Sequence, residues 1–365
     1  MRANKPTPVP EPTPQRIAHT PALDGLRGLA VLIVLLSHTA NAGLPVLPGF
    51  SFSGTGKSGV YLFFVLSAFL LTRILLAKPW AQWRQSDTWA DYALRRTLRI
   101  WPAYLVVLLA SFAITVFGLA PWWPYPIDAG SLLRHLLLLE GVNVLWSIPV
   151  EFHYYLWLPL VALLLGLAVQ RAGLWAAVLL AVLLGAVAWA LWPPEESRVN
   201  DVRLGPYLAQ FFAGALAAVL SRRWSATGLR PRGLVAAGVL AVVALFASIP
   251  AVPALLGLMP FTPGLNHRWF AFFGLTWAVL LLAVVHGPAW LRRPFEWRPL
   301  RALGWVSFSA YLWHMPVLAA VTGPLGLQGG AALLVFSLGT ALVSWASWRA
   351  FERPLQAVRW RARAG

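Results

Sequence analysis

A chain of 365 residues that is 59% hydrophobic and 11% charged, with mean hydropathy +0.68, cannot be an ordinary soluble domain, in which about a quarter of residues carry charge. The absence of cysteine excludes disulfides and thiolate metal sites. The net charge of +17 is spread over short loops rather than gathered on one face, which argues against a nucleic-acid partner. The class these numbers leave is an all-α, polytopic membrane protein, and 21 tryptophans suit the lipid–water boundary.

Residues 1–22 hold Pro6, Pro8, Pro10, Pro12, Pro14 and Pro21 and no apolar run, so they read as a disordered cytoplasmic tail and not as a signal peptide. A membrane span needs roughly 20 apolar residues. About ten stretches meet that need, near 24–43, 57–77, 98–119, 147–169, 173–193, 203–221, 233–254, 268–287, 302–324 and 328–349. Residues 23–355 thus form one membrane domain, and 356–365 a basic cytoplasmic tail. The stretch SLLRHLLLLEGV (131–142) is too short to cross and reads as an interfacial or re-entrant helix.

Basic residues set the orientation. Lys78, Arg84, Arg95, Arg96 and Arg99 fall between spans two and three, Arg222, Arg223, Arg230 and Arg232 between six and seven, and Arg292, Arg293, Arg298 and Arg301 between eight and nine. The tail adds Arg353, Arg359, Arg361 and Arg363, whereas the opposite face holds Lys57, Arg134, Arg198, Arg203 and Arg268. Both termini are therefore expected in the cytoplasm, with the connection around Ser197 outside and that around Ser225 inside.

The first span, LDGLRGLAVLIVLLSHT (23–39), carries Asp24, Arg27 and His38 in an otherwise apolar run. At about 100° per residue, Arg27 and His38 lie within about 20° of each other around the helix, ~16 Å apart along it. Asp24 lies one turn before Arg27. As a pair they read either as an N-terminal acid with a snorkelling cation or as part of a polar site. His38 sits deeper, where packing alone would use leucine. An imidazole there is costly unless it faces a cavity or partner, and its pKa range suits proton transfer.

GTGKSG (54–59) imitates a phosphate loop, but Ser51 stands where the pattern needs glycine and no strand precedes it, so no nucleotide site is expected. Glu151 and His153 are two apart and do not share a helix face, so no metal site is expected either.

R-x10-H in a first membrane helix resembles the integral-membrane acyltransferase family 3. The likeness continues in order. GVYLFFVLSAFLLTR (59–73) is similar to G-x-x-L-F-F-V-L-S-G-F-L, with Ala68 in place of the usual glycine. YALRRTLRIWPAY (92–104) supplies the arginine-rich entry to the third span. LWSIPVEFHYYLWLPL (145–160) resembles W-S-L-x-x-E-x-x-F-Y-L-x-x-P, with Trp146, Ser147, Glu151 and Tyr155 matching and Phe152 and His153 in place of Glu-Gln. SFSAYLWHMPV (307–317) and SWRAFERPL (347–355) complete the set.

The resemblance implies a multi-pass protein of the bacterial inner membrane that transfers an acyl group, acetyl in the simplest case, from cytoplasmic acyl-coenzyme A. No metal is implied. His38 is the implied general base, and Glu151 a carboxylate able to orient it as a triad acid does. Arg96 and Arg99, three apart, would clamp the coenzyme phosphates, with Arg27 reaching the pyrophosphate or pantetheine; the same arginines also serve the charge rule for topology. Ser147, Trp146, Tyr311, His314 and Asp24 are candidates for the cavity, with an aromatic girdle as the other reading of Tyr311 and His314. The acceptor stays open among a glycan, a lipid-linked sugar and a small molecule. Family members with a fused esterase-like domain modify surface polysaccharides, and no such segment is expected here. A secondary transporter would use Asp24, Arg27, His38 and Glu151 for substrate or proton coupling, but its usual repeated halves are not visible.

Overall fold

A computed structural model describes residues 20–229, 231–265, 269–358 and 360. Most of the N-terminal tail, Arg230, Arg268 and the basic residues Arg359, Arg361 and Arg363 lie outside the described residues.

The described chain is helical throughout, with one isolated β-bridge between Leu47 and Phe50. The helices are α1 (Pro21–Asn41), α2 (Gly56–Leu76), α3 (Ser86–Val116), α4 (Ala129–Leu136), α5 (Ser147–Ala172), α6 (Leu174–Leu191), α7 (Leu208–Thr227) and α8 (Leu234–Ala247). They continue with α9 (Ala251–Leu255), α10 (Phe270–His286), α11 (Ala289–Glu296), α12 (Arg298–Trp305), α13 (Ser307–Thr322), α14 (Gly329–Ser347) and α15 (Arg353–Gln356).

Each of the ten expected stretches coincides with a helix: α1, α2, α3, α5, α6, α7, α8, α10, α13 and α14. Among the described residues, six helices are long and apolar enough to cross a membrane unaided. A seventh crossing results if α10 and α11, bent by 103° at the break between them, count as one. α8 and α13 have 14 and 16 residues, about 21 and 24 Å at the usual rise, short of a ~30 Å hydrocarbon core. The stretch 131–142 contains α4, whose Asp128 cap accepts from the Ser131 amide at 2.7 Å. The buried His135 then closes the following loop, its Nε2 accepting from the Val142 amide at 3.1 Å.

The core gathers around α1 and α2. α1 packs on α2 along one side and on α11 and α12 along another. Its close approach to α12 depends on glycine. A Cβ on Gly28 would stand 1.9 Å from the Leu300 carbonyl oxygen, and one on Gly304 would stand 1.9 Å from that of Asp24. Small residues allow such backbone contact between membrane helices. The Ala68 departure has a similar explanation. A Cβ on Gly214 of α7 would lie 2.9 Å from the Ala68 methyl, so the missing side chain on α7 makes room for the extra one on α2.

Candidate functional site

α1 presents its ionisable residues to two cavities. His38 lines the larger, of about 1200 Å³; Arg27 lines the smaller, of about 50 Å³. The helical spacing that put both on one face therefore points them into different chambers.

The larger cavity is also lined by Ser37, Asn41, Lys57, Trp146 and Tyr311. Gly56 packs beside the base: a Cβ there would stand 3.3 Å from Ser37 Oγ and 3.7 Å from His38 Nε2. The partner the fold gives to His38 is His314, whose ring centroid is 5.1 Å away at 58°. His314 is fully buried, and its Nδ1 lies 2.8 Å from the Tyr311 carbonyl and 3.1 Å from that of Ala310. A carbonyl only accepts, so Nδ1 carries the proton and Nε2 keeps a lone pair. Nε2 has no hydrogen-bond partner among the described residues.

Lys57, from the stretch GTGKSG, donates to the carbonyls of Ser197 and Arg198, the latter at 3.0 Å. Its ammonium also stands 5.5 Å from the centre of the Trp146 ring. GTGKSG thus starts α2, packs beside His38, and ties α2 to the connection after α6.

The smaller cavity is lined by Arg27, Arg99, Ser67, Ser147, Glu151 and Tyr311, among others. Arg27 pairs with Asp24 at 3.6 Å, as their spacing suggested, and Asp24 also accepts from Trp305 Nε1 at 3.1 Å. Glu151 accepts hydrogen bonds from the Ser67 hydroxyl and the Tyr155 phenol. No hydrogen bond among the described residues joins Glu151 to His38. Arg96 lies outside this cavity's lining, with its guanidinium 5.8 Å from the centre of the Tyr155 ring and its buried Nε without a partner.

Tyr311 and Val60 line both cavities and form part of the wall between them. The Tyr311 hydroxyl accepts from Ser147 Oγ at 2.9 Å and donates to the Val144 carbonyl at 2.5 Å. Ser147 and Tyr311, singled out separately from sequence, are thus joined.

Two residues in the quoted motifs gain partners that local spacing could not reveal. Ser309 Oγ donates to the buried Glu352 at 2.5 Å and lies 2.9 Å from Ser347 Oγ. This cluster joins SFSAYLWHMPV to SWRAFERPL, at a π-helical turn spanning Trp348–Glu352. The signal was Glu352 itself, the one carboxylate in a motif whose other charges, Arg349 and Arg353, are basic. His153 is half-buried on α5, outside the lining of both cavities.

Residues 20–349 match the acyltransferase domain family. The chain belongs to that family. Its membrane domain is an acyltransferase domain.

The chain is 28% identical over 324 residues to the putative peptidoglycan O-acetyltransferase YrhL of Bacillus subtilis, a match covering 82% of this chain and 48% of the relative. It is 25% identical over 329 residues to the peptidoglycan O-acetyltransferase OatA of Listeria monocytogenes, covering 80% of this chain and 48% of the relative. A putative O-acetyltransferase of Staphylococcus aureus is 25% identical over 179 residues, covering 43% of this chain and 27% of the relative. The chain therefore spans about half the length of the first two relatives. No solved structure matches it.

Proposed function

We propose that this chain is a multi-pass enzyme of the bacterial inner membrane that moves an acyl group, acetyl in the simplest case, from cytoplasmic acyl-coenzyme A to a hydroxyl. The acceptor hydroxyl belongs to a glycan, a lipid-linked sugar or a small molecule, outside the cytoplasm or associated with the membrane. The observation that carries this reading is His38 on the wall of a large cavity, beside a second histidine whose tautomer the backbone fixes. The peptidoglycan O-acetyltransferase names of two relatives support O-acetylation of a glycan.

In this reading His38 takes the acceptor hydroxyl proton as the oxygen attacks the thioester carbonyl. The carbon–sulfur bond then breaks, and His38 returns the proton to the departing sulfur. His314, whose ring stands beside the base, would steady the imidazolium by accepting from it through the free Nε2; Glu151 organises the arginine side instead. Arg27 and Arg99 line the small chamber with Glu151, and Arg96 stands by Tyr155. This cationic group suits the coenzyme's phosphates, bound at the cytoplasmic edge. A cavity of about 50 Å³ holds about one or two waters and no coenzyme, so the acyl arm must widen the chamber and pass Tyr311 to reach His38.

Purified protein given radiolabelled acetyl-coenzyme A and a hydroxyl acceptor should release free coenzyme A and label the acceptor. Release that does not depend on the protein would sink the reading. The donor side is tested separately by single cysteines in intact cells. Ser197 is fully buried and cannot report, but Val199, two residues on, is 70% exposed. Val199→Cys should react with an impermeant thiol reagent and Ser225→Cys should not; the reverse pattern would place the donor site on the wrong side.

A further inference from the structure

The larger cavity has two chemically unlike parts. α1, α2 and the connection after α6 contribute His38, Asn41, Lys57, Glu195 and Asn200. α8, α10 and the segment between them contribute Leu245, Pro253, Met259, Pro260, Phe272 and Phe273. The apolar part runs out to the surface: Met259 is 57% exposed and Phe272 55%, although both line the cavity. α8 continues it outward through Leu240, Val243 and Phe246, all largely exposed.

The volume also needs an explanation. About 1200 Å³ exceeds the roughly 300–1000 Å³ of most small-ligand sites. A bare sugar would use the polar part and leave the rest unfilled, or bury hydroxyls against proline and phenylalanine, where the hydroxyls of Ser248, Thr262 and Thr276 already donate to backbone carbonyls, which is unfavourable. An apolar body there would instead gain from leaving water.

We infer that the acceptor is an amphiphile, with a hydroxyl-bearing polar head at His38 and an apolar body along Leu245, Pro253 and Phe272. The inference rests on the acyl-transfer reading and names its substrate class. Two apolar bodies fit the chemistry. One is a long chain leaving past Met259 and Phe272 into the lipid; the other is a compact ring system held within the cavity.

The test reads binding without a donor, on the full chain in lipid nanodiscs, with empty nanodiscs as the blank. Tritiated dodecyl glucoside and a tritiated steroid glucoside are the probes, and methyl glucoside is the competitor. Saturable binding of at least one probe is expected, with methyl glucoside competing at least tenfold more weakly than the unlabelled probe. Preference for the dodecyl probe assigns the long chain, and preference for the steroid the compact body. Phe272→Gln and Met259→Gln should each weaken binding about tenfold. Both positions are more than half exposed and lie outside the packed core, and an unchanged thermal midpoint checks that each variant keeps its fold. Saturable binding of neither probe, equal competition by methyl glucoside, or unaltered binding in both glutamine variants would overturn the inference. If binding holds while acetyl-coenzyme A is never consumed, the acyl-transfer reading fails and the amphiphile site stands.

Discussion

The two ends of the polar face of α1 are built by opposite means. Around Arg27, backbone meets backbone at Gly28 and Gly304, Asp24 holds the guanidinium, and the chamber is about 50 Å³. Around His38, the cavity is about 1200 Å³. A cation that recognises an anion works best when it is fixed in advance. A base that must meet an incoming hydroxyl needs access instead. One helix supplies both because its far ends pack against different partners.

The largest expected effect lies at the open end. His38→Ala should lower turnover about a hundredfold or more, with expression and detergent stability unchanged. Retention of a tenth of the activity would remove His38 as the base. His314→Phe keeps a ring beside His38 and loses the free Nε2. In the proposed mechanism Nε2 accepts from the His38 imidazolium only during turnover; a charge-assisted bond contributes roughly 1.5–3 kcal/mol, so turnover should fall about tenfold or more while the donor Michaelis constant holds. If the donor constant moves instead, the histidine pair belongs to binding, and the contrast between the two ends is lost.

At the closed end, Arg99→Lys keeps the charge and loses the planar fork. The donor constant should rise about tenfold with the acceptor constant unchanged. An unchanged donor constant here and in Arg96→Lys would return both arginines to a purely topological role. The smallest effect on chemistry is expected from Gly28→Ala, whose methyl must push α12 away from α1. Overpacking of this kind costs about 1–3 kcal/mol, so the thermal midpoint should drop by several degrees. A midpoint equal to wild type would show that the crossing is looser than the glycines suggest.

Much of this was legible in the sequence because it is local. The ten apolar stretches became helices through their composition, and Asp24 met Arg27 through i,i+3 spacing. Ser147 and Glu151 share a cavity because they share a helix face. What was not legible is pairing across the chain. His38 meets His314 and Glu151 meets Ser67 only because α1, α2, α5 and α13 are packed together. No periodicity within one segment encodes such a partner. The bend between α10 and α11, and the α12 segment on which α1 rests, were likewise hidden inside a basic connection read only for its charge.

The crossing of α1 and α12 also has a consequence in time. α1 leaves the ribosome long before α12, on which its glycine face comes to rest. At roughly 5–20 residues per second, that face waits on the order of tens of seconds before Gly304 emerges. Until then His38 also lacks its companion, since His314 follows α12 in the chain. The growing chain therefore holds its base long before it can complete the histidine pair, and a chain cut before α12 would insert α1 without ever assembling that pair.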